Sequence, residues 1–171
     1  MISSPAFMSH QPALIDGFEF AAAGATRQGL WAVGDFPRLR DMLASGAGEI
    51  RYEIEGVQDA RGRPALRVRI NGALQLRCQR CLEPLRFDVD TDETLVLAAT
   101  QAEIDAEPVD ADSPDRLLAA EEVKVRDLLE DELILALPYA PRHEGCEVGA
   151  EGGDGEKISP FAGLRGMLRK H

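Results

Sequence analysis

Leu66-Arg67-Val68-Arg69-Ile70-Asn71-Gly72-Ala73-Leu74-Gln75-Leu76-Arg77-Cys78 is the stretch whose reading decides the fold. Its even positions carry Leu, Val, Ile, Gly, Leu, Leu and Cys, while Arg67, Arg69, Asn71, Ala73, Gln75 and Arg77 fill the odd ones. A period of two sustained for this length predicts a strand with one dry and one wet face, bent at Gly72. Upstream, Ile50, Tyr52 and Ile54 alternate with Glu49, Arg51, Glu53 and Glu55, and Asp59-Ala60-Arg61-Gly62-Arg63-Pro64 supplies a connecting loop. Downstream, Leu85, Phe87 and Val89 alternate with Arg86, Asp88 and Asp90, and residues 95 to 97 continue the pattern. Three consecutive antiparallel strands, a meander, therefore form the centre of a sheet.

Helical spacing appears on both sides of it. Asp35 is placed to cap a short helix over 37 to 44, with Leu39 and Leu43 on one edge and Gly46 at its end. A longer helix is expected from 123 to 137, where Val125, Leu128, Leu129, Leu133, Ala136 and Leu137 make one stripe before Pro138. In that helix Glu130-Asp131-Glu132 reads as the wet side. Residues 116 to 120 read as a short strand, and 98 to 115, rich in acids and lacking any period, as a loop. The expected class is α+β. An antiparallel sheet, the meander plus short extra strands, is covered by the long helix, with a second short helix and a C-terminal helix on a flexible linker. One domain would span 1 to 147 with a mobile acidic loop at 100 to 114, followed by a linker over 148 to 158 and a helical tail over 159 to 171. Ser159 and Pro160 start that tail helix, and Phe161, Leu164 and Leu168 share one side with Arg165 beside them.

Charge is unevenly spread along the 171 residues, whose formal net charge is −11. Residues 87 to 122 hold twelve acids and one base, Arg116, so that window alone accounts for the whole net charge. From 61 to 86 the balance reverses, with Arg61, Arg63, Arg67, Arg69, Arg77, Arg80 and Arg86 against Glu83 alone. Such a dipolar chain is not built to coat polyanions indiscriminately, although a local basic face remains available. Arg67, Arg69 and Arg77 on one strand face and Arg80 at its turn are candidates for gripping phosphate. The same arginines are equally suited to cross-strand pairs with Glu49, Glu53, Glu55, Asp88 and Asp90. No apolar run approaches the ~20 residues that cross a bilayer, the first residues lack a signal-peptide pattern, and three cysteines suit a reducing compartment. The expectation is a cytoplasmic protein with no membrane partner.

Cys78-Gln79-Arg80-Cys81 carries the most chemistry. Two thiolates across a tight turn can reach one ion, and His143-Glu144-Gly145-Cys146 offers the two further ligands that tetrahedral zinc requires. Cys78, Cys81, His143 and Cys146 are thus candidate zinc ligands, with free reduced thiols at a hairpin as the plain alternative. A redox motif would open a helix, and Glu83-Pro84 followed by a strand pattern argues against one. There is no G-x-S-x-G, and the glycine-rich 149 to 156 lacks the Lys-Ser or Lys-Thr of a phosphate loop. Neither an enzyme nor a small-molecule substrate is expected.

Taken in order, several segments resemble the bacterial YceD family, whose members are called large ribosomal RNA subunit accumulation proteins. They are Asp16-Gly17-Phe18-Glu19-Phe20, Asp35-Phe36-Pro37-Arg38-Leu39, the Leu76 to Pro84 run LRCQRCLEP, ELILALP at 132 to 138, His143 to Cys146, and SPFAGL at 159 to 164. The resemblance implies a non-enzymatic role in producing or maintaining large-subunit (23S) ribosomal RNA. The partners it implies are a large-subunit precursor, the ribosomal RNA or a large-subunit protein. Some relatives carry a second cysteine pair after the ALP segment, where this chain has His143 and Cys146. Partner contact is expected at Arg67, Arg69, Arg77, Arg80, Phe161, Leu164 and Arg165. Two rivals stand beside this reading, an acidic protein adaptor that affects RNA indirectly and a zinc or thiol enzyme.

Overall fold

A computed structural model describes residues 14 to 107 and 113 to 146. In chain order the elements are β1 (Leu14–Ile15), α1 (Gly17–Ala22), β2 (Thr26–Ala32), β3 (Leu43–Ser45), β4 (Glu49–Gln58), β5 (Pro64–Arg77), β6 (Pro84–Ala98), α2 (Gln101–Asp105), β7 (Arg116–Leu118), β8 (Val123–Lys124) and α3 (Val125–Ala136). The meander is there as its alternation predicts. β4 pairs antiparallel with β5 (Ile54 opposite Val68), and β5 with β6 (Leu74 opposite Phe87). Leu66, Val68, Ile70, Leu74 and Leu76 are all buried, so the period-two reading assigned the faces of β5 correctly.

The expected class does not hold. Strands make up 44% and helices 23% of the described residues, and the six-stranded sheet (order β2-β4-β5-β6-β7, with β3 beside the far half of β5) is mixed, because β7 joins β6 in parallel. No long helix covers it. α3 has 12 residues, a length of ~18 Å at 1.5 Å per residue. β5 and β6 have 14 and 15 residues, lengths of ~46 and ~50 Å. A helix that short cannot span such strands. The apolar face is closed jointly by Ile15, by Ala21 of α1, by Val33, Phe36, Leu39 and Leu43 of the chain between β2 and β4, and by Val125, Leu128, Leu129 and Leu133 of α3.

Two local expectations also change. The segment 37 to 44 is no α-helix; it contains a single 3-10 turn at Arg40–Met42 and then β3. With Pro37 at one end and a pairing strand at the other, too few residues remain for an α-helix to propagate. Within 98 to 115, α2 forms one turn, capped by the Thr100 side chain, which accepts from the Glu103 N–H. Gly72 keeps a negative φ, and its lack of a side chain admits Ile50, whose Cδ1 would lie 2.7 Å from an added Cβ. Residues 108 to 112 and the linker and tail expected beyond 146 fall outside the described residues. Among the described residues no helix is long and apolar enough to cross a membrane.

Candidate metal centre

The loop from β5 to β6 is a knuckle built around Cys78. The Cys78 N–H donates to Glu83 O at 3.0 Å, and the Leu82 N–H returns to Cys78 O at 3.0 Å. Closing the turn this tightly puts Leu82 at φ 65°, the one non-glycine residue with positive φ among those described. That left-handed conformation is costly for an L side chain, and the two hydrogen bonds across the loop hold it. Amide groups then converge on sulfur, with the Arg80 N–H 3.4 Å from Cys78 Sγ.

After α3, Pro138 ends the helix and the chain returns to the knuckle as a strap. The Gln79 N–H donates to Pro141 O at 2.8 Å, and His143 Nε2 lies 3.0 Å from Pro84 O. A carbonyl can only accept, so this contact places a proton on Nε2 and, in the neutral ring that binds a metal, turns the Nδ1 lone pair toward the sulfurs. Nδ1 is 3.4 Å from Cys81 Sγ, and Cys78 Sγ is 3.9 Å from Cys146 Sγ. The donor atoms of Cys78, Cys81, His143 and Cys146 all lie within 4.8 Å of one another. A tetrahedral zinc with Zn–S bonds of about 2.3 Å separates its sulfurs by about 3.8 Å, so the set fits such an ion closely. The Pro84 carbonyl behind His143 is the outer partner that a histidine ligand ordinarily has. These four residues could hold a metal, and the sequence-predicted ligands come together as a set.

The thiols differ in acidity. The Cys81 N–H, followed by the Arg80 and His143 N–H groups, stabilises the Cys78 thiolate and brings its pKa down to about 5. Hydrogen bonding with Cys81 and then burial push Cys146 up to about 11. The hydrogen bond to Pro84 O, then the contact with Cys78, raises His143 above its ordinary value. Without a metal the cluster thus gathers its negative charge on Cys78, and an ion must displace the Cys146 proton.

The candidate arginines separate into two groups. Arg67 holds Asp92 through Nε at 2.6 Å and Nη2 at 2.5 Å, and Arg69 meets Glu53 as well as Glu55 (3.7 Å) and Asp92 (3.6 Å). Arg77 and Arg80 are exposed and have no ion pair among the described residues. Phe161, Leu164 and Arg165 lie outside those residues. The sequence reading passed over Arg142, next to a metal-ligand candidate, and over Tyr139, whose ring is fully exposed just past the helix stop. It also misread Glu130 and Glu132, which are buried rather than wet.

Residues 66–168 match the family model described as Large ribosomal RNA subunit accumulation protein YceD. The chain belongs to the YceD family. A YceD relative from Haemophilus influenzae, named Large ribosomal RNA subunit accumulation protein YceD, is 25% identical over 169 residues, covering 93% of this chain and 97% of its own. No solved structure matches. The YceD match takes in β5 from Leu66 on, the knuckle, α3 and the strap, so it contains every candidate metal ligand.

Proposed function

We propose that this chain is a cytoplasmic ribosome-biogenesis factor that supports the synthesis, processing or accumulation of large-subunit (23S) ribosomal RNA, acting by binding rather than catalysis. A zinc ion held by Cys78, Cys81, His143 and Cys146 would fix the knuckle that presents its binding surface. The observation that carries this reading is a closed ligand set in a family named for ribosomal RNA accumulation. Four protein ligands complete a tetrahedral ion, whereas a catalytic zinc keeps a position open for water or substrate.

Sedimentation of a cell extract tests it. The chain should travel with large-subunit precursor particles and leave them at high salt, because phosphate contacts are salt-sensitive. A chain found only at the top of the gradient overturns the reading. The net charge of −11 favours one alternative, an adaptor for basic ribosomal proteins. Retention on large-subunit proteins after ribonuclease treatment identifies that adaptor.

A further inference from the structure

Ion pairing sorts the arginines of the described residues. Arg38, Arg61, Arg63, Arg67, Arg69, Arg86, Arg116 and Arg126 are each matched to a carboxylate, and Arg27 donates to Leu14 O. Arg77, Arg80 and Arg142, with Arg40 and Arg51 elsewhere, have no such partner among the described residues. The first three flank the metal-ligand candidates directly: Arg77 precedes Cys78, Arg80 lies between the two cysteines, and Arg142 precedes His143. An arginine already bidentate to a carboxylate must break that pair to hold phosphate, whereas an unpaired one gives up only water. The strand face is therefore a poor phosphate surface and the knuckle a better one.

Tyr139 adds a second kind of contact. It is fully exposed two residues before Pro141, the residue whose carbonyl pins the strap to the knuckle. A bare aromatic ring three residues before Arg142 on the same strap offers what a single-stranded RNA uses, since unpaired bases stack on such a ring while guanidinium groups take the backbone. Duplex RNA offers no free base to such a ring.

Resting on the ribosomal RNA reading above, we propose that the knuckle end is a contact surface for single-stranded RNA, with Arg77, Arg80 and Arg142 on phosphates and Tyr139 stacked on an unpaired base. Glu83 and Glu144 share this end of the molecule, so the attraction is made at contact range and not by a long-range positive field. Three phosphate contacts give a shallow salt dependence, a slope of log affinity on log salt of about −2 for a single strand.

The test titrates the full zinc-loaded chain into a short fluorescent oligoadenylate and, separately, an RNA duplex of equal length. The single strand should bind more tightly, with that shallow slope. Combining Arg77→Gln, Arg80→Gln and Arg142→Gln should weaken it by roughly tenfold or more and flatten the slope. Tyr139→Ala should weaken it by roughly five- to a hundredfold, and Tyr139→Phe should restore it. Arg61→Gln with Arg86→Gln, both paired with carboxylates, should bind like the parent. Unchanged affinity in the triple variant, with zinc content and melting like the parent's, overturns the proposal. So does a parent that binds neither RNA. If that parent still sediments with precursor particles, this surface assignment fails while the broader function stands.

Discussion

Glu130 is only 1% exposed, and its Oε1 accepts the Arg38 backbone N–H at 2.5 Å while Oε2 meets Arg38 Nε at 3.0 Å. Oε1 also accepts the Leu39 N–H at 3.2 Å, and Arg38 reaches on to Asp131 at 2.5 Å and to the Asp127 carbonyl at 3.2 Å. One carboxylate of α3 thus accepts from two consecutive main-chain donors, as an N-cap side chain does for the unsatisfied N–H groups of a helix's first turn.

Glu130→Ala should consequently cost more stability than Arg38→Ala. It strips two main-chain donors of their acceptor, one of them buried, for about 2–3 kcal/mol. Arg38→Ala leaves both of those bonds in place, and its side chain is half-exposed, so about 1 kcal/mol is expected. Urea denaturation of the two variants checks the order.

Glu132 predicts a pH dependence. Burial, followed by repulsion from Glu93, Asp115 and Asp131, raises its pKa to about 7. The folded state therefore holds this proton where the unfolded state has lost it. Stability from this group is complete below the unfolded value near 4.5 and declines as pH rises through about 7. Glu132→Gln should melt with the parent at acid pH and roughly 3 °C above it at pH ~8, as the gain is on the order of 1 kcal/mol once residual hydration is discounted. Equal melting at both pH values contradicts the assignment.

Gly56 marks where α1 lies flat on β4. A Cβ there would run into the Phe20 carbonyl and stand 2.8 Å from Ala21 Cα, backbone atoms that have no rotamer to move. Gly56→Ala should cost about 3 kcal/mol, whereas Gly62→Ala, in an open turn, should cost about 1 kcal/mol for its positive φ alone. Thermal melts of both variants separate crowding from conformation.

The meander was legible because Leu66, Val68 and Ile70 alternate with arginines, and a strand wet on one face must alternate in that way. β2 was not, because Arg27, Gly29 and Trp31 occupy the positions that pair with Ile54, Tyr52 and Ile50, and no apolar period results. Gly29 there leaves room for the Tyr52 ring, which an added Cβ would meet at 2.9 Å. The metal-ligand set could be assembled from sequence because C-x-x-C and H-x-x-C each constrain two donors locally. Glu130 and Glu132 could not be placed, since Glu-Asp-Glu on a helix carries no mark of the turn or carboxylates it faces. The covering helix was overestimated because its apolar stripe fixes a face and says nothing of the length of the sheet beneath.

Native mass spectrometry should find the chain with one zinc. A chelator should lower the melting temperature, because a bound ion would tie the strap to the hairpin. Uptake by the metal-free chain should release protons, with affinity rising as pH rises, since the Cys146 proton held at about 11 must leave. A bare-chain mass from fresh protein contradicts the metal.

The most direct measurement of the central claim is the ratio of large-subunit to small-subunit ribosomal RNA in cells lacking this chain. The account predicts a lowered ratio that the parent chain restores and that Cys81→Ser with Cys146→Ser, present at the parent's level, does not. An unchanged ratio in the deletion strain, or full restoration by the double variant, would contradict it.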